Sequence, residues 1–157
     1  MQRISITSNS PKDTEKIGAA IAKFLNKGDI ISLSGELGTG KTCLIRGMVG
    51  ALGGGQNVTS ASFTLLSMYD ASIPVYHFDA YRLDDPAQAL YLGLDDYIFG
   101  DGITIIEWGD RISGILPDGC LFIEIEYLDD EDRRITMFSD SKDWQNRLSE
   151  LGKSWKR

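Results

Sequence analysis

The first thirty residues show an apolar pattern typical of a strand and then one typical of a helix. Residues 4–6 read Ile-Ser-Ile, the alternation of a short strand. Ser10, Pro11 and Asp13 are residue types favoured at a helix N-cap, at its first position and in its first turn. Apolar residues then recur at helical spacing: Ile17, Ala20, Ile21, Phe24 and Leu25. A helix is therefore predicted to run from Pro11 to an Asn-Lys-Gly stop at residues 26–28.

A second strand and a second helix flank a glycine-rich segment. Residues 29–34 include Ile30, Ile31 and Leu33, a short apolar run with two β-branched side chains, which predicts a buried strand. After residue 42, apolar side chains share one helical stripe: Leu44, Ile45, Met48, Val49 and Leu52. Glycines at residues 53–55 end this helix. The chain therefore predicts a strand–loop–helix unit whose loop spans residues 35–42.

Further strands are predicted in the middle of the chain. Residues 65–69 and 74–78 are strand-like runs around a turn at residues 70–72. A short helix is predicted to open at Asp84, and residues 103–106 form another buried-strand candidate.

The last third has the alternation of a strand with one solvated face. Leu121, Ile123, Ile125 and Tyr127 alternate with Phe122, Glu124, Glu126 and Leu128, and an acidic turn at 129–132 precedes a run at 135–138 that is predicted to return antiparallel. Asp140 or Ser141 caps a final helix, whose apolar residues are Trp144, Leu148 and Leu151. The elements together predict a three-layer α/β fold with a mostly parallel sheet and antiparallel strands in its C-terminal part.

Composition limits the class of protein. With 157 residues, 42% of them hydrophobic and 25% charged, the chain is predicted to form a single domain over residues 1–157. The net charge of −7 disfavours tight direct binding to nucleic acid, because proteins that do this are normally basic. No apolar run reaches the roughly 18 residues of a membrane span. The two distant cysteines, Cys43 and Cys120, favour a reduced, cytoplasmic setting.

The loop between the second strand and the second helix matches G-x-x-x-x-G-K-T, the Walker A pattern for phosphate binding. It consists of Gly35, Glu36, Leu37, Gly38, Thr39, Gly40, Lys41 and Thr42. Glycines let the backbone turn tightly and direct its N–H groups at an anion. Lys41 is placed to reach the outer phosphates, and the Thr42 hydroxyl to hold Mg²⁺. Strand, loop and helix are the context that this motif requires, so the predicted fold is that of the P-loop NTPases.

Two acids follow predicted strands at the positions where a P-loop protein holds Mg²⁺. Asp79 ends the strand at 74–78, and Glu107 ends the strand at 103–106. Ligands of open α/β sheets bind beyond the carboxyl ends of the parallel strands. Either acid is a candidate for contact with Mg²⁺ or its waters, and one of them for orienting an attacking water. The sequence leaves open which acid lies nearer that water.

Other candidates carry a less specific signal. Ser62 and Thr64 lie in a hydroxyl-rich loop, where they either contact Mg²⁺ or the γ-phosphate or are plain loop residues. Arg82 either stabilises phosphate charge or makes a surface ion pair. His77, the only histidine, is expected to be a packed, hydrogen-bonded residue rather than a catalyst. Trp108 either stacks on a ligand or covers the edge of the core.

Two classes of P-loop protein fit less well. A GTPase needs a guanine-reading N-K-x-D after the phosphate loop, whereas the Asn-Lys-Gly-Asp at residues 26–29 precedes it, and no D-x-x-G occurs. A small-molecule kinase usually carries an arginine-rich lid, whereas the arginines here are scattered. The hypotheses are therefore an ATPase that drives or times a partner, a kinase of a small metabolite, and a nucleotide-dependent interaction module without hydrolysis.

The assembled motifs resemble those of the TsaE (YjeE) family, bacterial P-loop ATPases of the tRNA threonylcarbamoyladenosine pathway. Residues 35–42 resemble GELGAGKT, residues 60–65 resemble SPTFTL, residues 76–83 resemble YHFDLYRL, and residues 107–108 match an E-W pair. The similarity falls within residues 1–138, and residues 139–157, a helix and tail, carry no family motif. Ala61 and Ser62 replace the family's usual Pro and Thr, which leaves the hydroxyl chemistry of that loop in place.

The resemblance implies binding of ATP and Mg²⁺, slow ATP hydrolysis, and complex formation with the proteins TsaD and TsaB. TsaD transfers the threonylcarbamoyl group to the adenosine beside the anticodon, so this chain is expected to reach tRNA only through its partners. By the resemblance, Lys41 and the loop hold the phosphates, Thr42 and Glu107 bind Mg²⁺, and Asp79 positions water or lies beside the metal. The expected nucleotide contacts outside the loop are Ser10, Ser62, Thr64, Arg82 and Trp108.

Overall fold

The computed structural model describes residues 3–36, 38–54, 66–80, 93–98, 100–108, 114 and 116–155. Its strands are β1 (Arg3–Ser8), β2 (Ile30–Gly35), β3 (Leu66–Tyr69), β4 (Val75–Asp79), β5 (Ile103–Glu107), β6 (Leu121–Tyr127) and β7 (Arg133–Phe138). Its helices are α1 (Pro11–Ala22), α2 (Lys41–Ala51), α3 (Leu94–Ile98) and α4 (Lys142–Trp155). The seven strands form one sheet in the order β1-β7-β6-β2-β5-β4-β3.

The centre of the sheet is parallel and its edges are antiparallel. β2 pairs in parallel with β5 and β6, and β5 pairs in parallel with β4. β7 pairs antiparallel with β1 and β6, and β3 pairs antiparallel with β4. The predicted α/β class, parallel sheet and antiparallel C-terminal strands are thus confirmed. β3 is antiparallel because residues 70–74 are too few for the crossover that a parallel pair needs.

Side chains of alternating strand residues face two different layers. On β5, Ile103 and Ile105 pack with α1, α2 and α4 in the larger apolar cluster. Ile106 faces the opposite side and packs with Phe78 and with Leu94 of α3. β2 and β5 are buried on both faces, and their apolar residues accordingly occupy neighbouring as well as alternate positions.

α1 and α2 approach closely at a glycine. A Cβ atom on Gly47 would lie 2.0 Å from the carbonyl oxygen of Glu15, which leaves no room for a side chain. Beside this contact Ile17, Leu44 and Met48 are fully buried. The contact fixes the position of α2, whose first residue is Lys41.

The helix ends follow from local hydrogen bonds. Ser10 caps α1 by accepting from the Asp13 amide at 3.1 Å, as predicted. α1 ends at Ala22 rather than reaching residue 25, since the next amides bond three residues back. Ser141, one of the two predicted caps, accepts from the Trp144 amide at 3.3 Å. α3 was not predicted, and the helix expected at Asp84 lies outside the described residues. No helix in the described ranges is long and apolar enough to cross a membrane.

Candidate functional site

The Walker A segment forms a tight crook between β2 and α2. Gly38 and Gly40 have φ values of +82° and +108°, a region that L side chains rarely adopt. A Cβ atom on Gly38 would also lie 2.8 Å from the Tyr127 hydroxyl. Leu37 lies outside the described residues. The backbone of the loop therefore turns at its glycines, as the sequence predicted.

Lys41 is buried inside this crook. Only 6% of the residue is exposed, and its ammonium donates to the carbonyl oxygens of Gly35 and, at 3.3 Å, of Glu36. The ammonium also lies 4.2 Å from the centroid of the Trp108 ring, a cation–π contact. Trp108 has a left-handed φ of +61° and donates its amide to Leu33 at 2.8 Å. The structure thus brings together two residues that the sequence could only propose separately.

The hairpin of β6 and β7 packs on the loop, which sequence reasoning did not predict. Thr39 donates its hydroxyl to the Glu36 carbonyl at 2.7 Å. Arg133 donates to the Thr39 carbonyl at 3.1 Å and to the Asp130 carbonyl at 2.7 Å. Its guanidinium lies 4.4 Å from the centroid of the Tyr127 ring. The spacing of these residues in the sequence does not indicate the contacts. The hairpin lies beside the loop because β6 pairs with β2 in the sheet.

The N-terminus of α1 and the Arg133 side chain lie on the same side of the phosphate-binding loop. A cavity of about 180 Å³ is lined there by Pro11, Thr14, Gly38, Gly40, Cys43 and Arg133, together with Glu131. Ser10, one of the expected nucleotide contacts, precedes Pro11 and uses its hydroxyl for the α1 cap. The structure places Ser10 beside the loop, and its contact with a nucleotide stays a prediction.

A second cavity adjoins the start of the loop. Its volume is about 510 Å³, and it is lined by Gly35, Glu36, Glu124, Glu126 and Tyr127, among others. Three carboxylates on its wall create a negative potential that disfavours an anionic ligand. The smaller cavity, which contains Arg133, is therefore the better candidate for the entry of a nucleotide.

Asp79 and Glu107 are the last residues of neighbouring parallel strands. They occupy the same register position on β4 and β5, so both side chains start from the same face of the sheet. Both are buried, with 5% and 4% of the residues exposed. β5 also pairs with β2, where Glu107 is level with Leu33. The prediction that both acids lie at the edge from which the phosphate loop departs is confirmed.

His77 is buried and hydrogen-bonded, as expected, but its partner was not foreseen. Its Nε2 atom lies 2.8 Å from Oε2 of Glu107, and its Nδ1 atom lies 3.1 Å from the Tyr69 hydroxyl. The imidazole is wholly inaccessible to solvent. The histidine thus contacts one of the two acids that were predicted to serve Mg²⁺.

The oxygen atoms at this edge fit Mg²⁺, which prefers hard oxygen ligands. They are the carboxylates of Asp79 and Glu107, and the predicted metal ligand Thr42 is the second residue of α2. Within the described ranges no three His, Cys, Asp or Glu residues cluster as a metal cage. Mg²⁺ commonly binds through one or two carboxylates, waters and substrate phosphates, so the chemistry of these oxygen atoms is compatible with that ion. Ser62, Thr64 and Arg82 lie outside the described residues, and their roles stay predictions.

The parallel sheet, the glycine crook after β2 and the lysine at the start of α2 define a protein of the P-loop class. A family model described as "Threonylcarbamoyl adenosine biosynthesis protein TsaE" matches residues 8–135. The chain belongs to the TsaE family. This membership does not favour the alternative of a small-metabolite kinase.

Relatives with a similar name align with this chain over most of their length. The tRNA threonylcarbamoyladenosine biosynthesis protein TsaE of Bacillus subtilis is 34% identical over 98% of this chain and 96% of its own. The proteins of that name from Haemophilus influenzae and Treponema pallidum are 40% and 35% identical, over 78% and 83% of this chain and 78% and 96% of their own. The crystal structure of Bacillus subtilis YdiB is similar, with a TM-score of 0.82 and 32% identity over 98% of this chain and 96% of that one.

Proposed function

We propose that this chain is an ATP-binding, slowly ATP-hydrolysing subunit required for threonylcarbamoylation of the tRNA adenosine beside the anticodon. It acts on the TsaD–TsaB complex and does not transfer the group itself. The observation that carries the proposal is the buried ammonium of Lys41 inside the crook at residues 35–42. The names of the relatives, tRNA threonylcarbamoyladenosine biosynthesis proteins, support the pathway.

The ammonium of Lys41 can exchange the backbone carbonyls that now accept its hydrogen bonds for phosphate oxygens. It donates to the carbonyl oxygens of Gly35 and Glu36, which are neutral acceptors. A phosphate oxygen is an anionic acceptor, and charge-assisted hydrogen bonds are roughly twice as strong as neutral ones. Amides at the N-terminus of α2 add a partial positive charge at the same place. The crook therefore favours the phosphates of a nucleotide over its own carbonyls.

Thr42 and Glu107 would hold Mg²⁺, with Asp79 as the neighbouring acid that orients water. When bound, the ion neutralises the charge that develops on the phosphates. Asp79 and Glu107 share one register position, so each is close enough to the other to serve a single hydrated ion.

Partner proteins, rather than direct contacts, would bring the chain to tRNA. Its net charge of −7 opposes direct binding to a polyanion. The proposal places the protein in the cytoplasm, where tRNA modification takes place.

Calorimetric titration with a non-hydrolysable ATP analogue and Mg²⁺ tests the site. Replacing Lys41 by Ala removes charge-assisted bonds worth about 1.5–3 kcal/mol each, so affinity is expected to fall by roughly 100-fold or more. Lys153→Ala is the matched control, because that side chain is 71% exposed and pairs only with Glu150 in the described structure. Thermal melts without nucleotide establish that each variant is folded. Unchanged affinity in the folded Lys41→Ala protein would refute the site.

Activity is tested separately. Mg²⁺-dependent phosphate release is measured for the chain alone and with TsaD and TsaB, and modified adenosine is quantified by mass spectrometry of digested tRNA. We expect slow phosphate release from the chain alone, and we expect tRNA modification to require both this chain and ATP. A phosphorylated metabolite without tRNA modification would instead support the kinase, and nucleotide binding without phosphate release would support the interaction module.

A further inference from the structure

Three side chains form a hydrogen-bonded line across three adjacent strands. Tyr69 on β3 contacts Nδ1 of His77 on β4 at 3.1 Å, and Nε2 of His77 contacts Oε2 of Glu107 on β5 at 2.8 Å. His77 is level with Ser67 and Ile105, so the line runs diagonally across the strands. It ends on the carboxylate that the proposed function assigns to Mg²⁺.

The chemistry of the three groups fixes the direction of the central hydrogen bond. The Glu107 carboxylate that the proposed function assigns to Mg²⁺ is ionised and only accepts hydrogen bonds, so Nε2 of His77 donates to it. This holds for the neutral ring, whose Nδ1 atom then accepts from the Tyr69 hydroxyl, and equally for the charged ring. Rotating the imidazole by half a turn would place carbon atoms against both partners. Both bonds would be lost, and water cannot replace them at the imidazole, because His77 is wholly buried.

A carboxylate that accepts one hydrogen bond can still bind a metal. It offers about four lone-pair positions, of which the bond from His77 uses one. The bond restricts rotation of the carboxylate group, which otherwise has broad torsional freedom. Groups that hold a metal ligand in this way commonly contribute about 10- to 100-fold to metal affinity.

We infer that His77, itself oriented by Tyr69, is a positioning residue that holds the Glu107 carboxylate in the orientation required for Mg²⁺. This rests on the proposed function, in which Glu107 contacts the ion of the bound nucleotide complex. His77 does not touch the nucleotide in this scheme, and it is not a base. Its effect is therefore confined to the part of nucleotide affinity that depends on Mg²⁺.

Three variants separate positioning from packing. His77→Phe removes the donor to Glu107, whereas His77→Gln keeps an N–H donor at a similar reach. Tyr69→Phe removes only the hydroxyl that orients the ring. Tyr76→Phe is the matched control, because Tyr76 precedes His77 on β4, points to the opposite face and packs on Tyr97. ATP-analogue affinity is measured in EDTA and then as a function of Mg²⁺ concentration.

In His77→Phe, we expect the affinity for the ATP analogue in EDTA to be unchanged and the half-saturating Mg²⁺ concentration to rise roughly 10- to 100-fold. His77→Gln is expected to recover most of this loss, Tyr69→Phe to show a smaller loss, and Tyr76→Phe none. A normal Mg²⁺ response in His77→Phe, or a loss in His77→Gln as large as in His77→Phe, would overturn the inference. If even the unaltered protein binds no nucleotide, the proposed function fails instead.

Nuclear magnetic resonance gives a readout without nucleotide. His77 is the only histidine, so the chain has a single pair of imidazole nitrogen signals. In the unaltered protein, we expect the neutral ring to carry its proton on Nε2. In Tyr69→Phe, we expect a mixture of the two tautomers. A ring protonated on Nδ1 alone would overturn it, even if the His77 variants do not fold.

Discussion

Replacing Gly47 by Ala tests whether the close approach of α1 and α2 stabilises the protein. The new Cβ would lie 2.0 Å from the carbonyl oxygen and 2.8 Å from the carbonyl carbon of Glu15. Both are backbone atoms and cannot rotate away, so the helices must separate by more than 1 Å to reach ordinary contact at about 3.4 Å. Separation would loosen the packing of Ile17, Leu44 and Met48, which are fully buried.

The magnitude follows from two opposing effects. Overpacking of this kind costs typically about 1–3 kcal/mol, and a backbone clash belongs at the upper end. Alanine favours a helix over glycine by about 1 kcal/mol. The net expectation is a loss of about 2 kcal/mol of unfolding free energy, or roughly 4–8 °C in Tm.

Gly50→Ala is the matched control on the same helix. Among the described residues, no neighbouring heavy atom lies within 4 Å of the point that a Cβ atom on Gly50 would occupy, so only the helix preference acts, and a gain of about 0.5–1 kcal/mol is expected. Urea unfolding followed by circular dichroism and by tryptophan fluorescence measures both variants. If Gly47→Ala were as stable as Gly50→Ala, the reasoning from the Glu15 contact would be refuted.

Two further predictions concern a buried thiol and a partly buried ion pair. Burial raises the pKa of the Cys120 thiol to about 11 from an ordinary value of 9, so the unfolded chain loses this proton first. Stability is then expected to fall between about pH 9 and pH 11, and to fall less in Cys120→Ala; equal urea midpoints across that range would contradict this. Arg147 donates to Asp29 at 2.7 Å and also bonds Asp143, and its side chain is only 16% exposed. Arg147→Ala is expected to lose about 1.5–3 kcal/mol in urea unfolding, with a smaller loss in Arg147→Lys, and a change below about 0.5 kcal/mol would count against the pair.

The strand-loop-helix unit was predictable because its signals are local. A β-branched run, a glycine loop and a helical stripe occupy consecutive residues, and each restricts the backbone at its own position. The same holds for the Ser10 cap of α1 and for the alternation in β6. Asp79 and Glu107 were also found from local signals, since each ends an apolar run.

The contacts among site residues could not be predicted in this way. His77 was expected to be hydrogen-bonded, yet its bond to Glu107 depends on β4 lying beside β5. The link from Arg133 to the phosphate loop spans 94 residues and arises because β6 pairs with β2. Nothing in the spacing of these residues reports which strands become neighbours.

The sequence by itself determined the kind of chemistry: a glycine loop with Lys41 and Thr42, and two acids at strand ends. Only the tertiary structure decided how these groups are held, with Trp108 over Lys41 and His77 against Glu107. The physical reason is that backbone conformation follows from neighbours in the chain. A hydrogen bond or ring contact between distant residues instead requires the strand order, and that order is set by burial of the whole sheet.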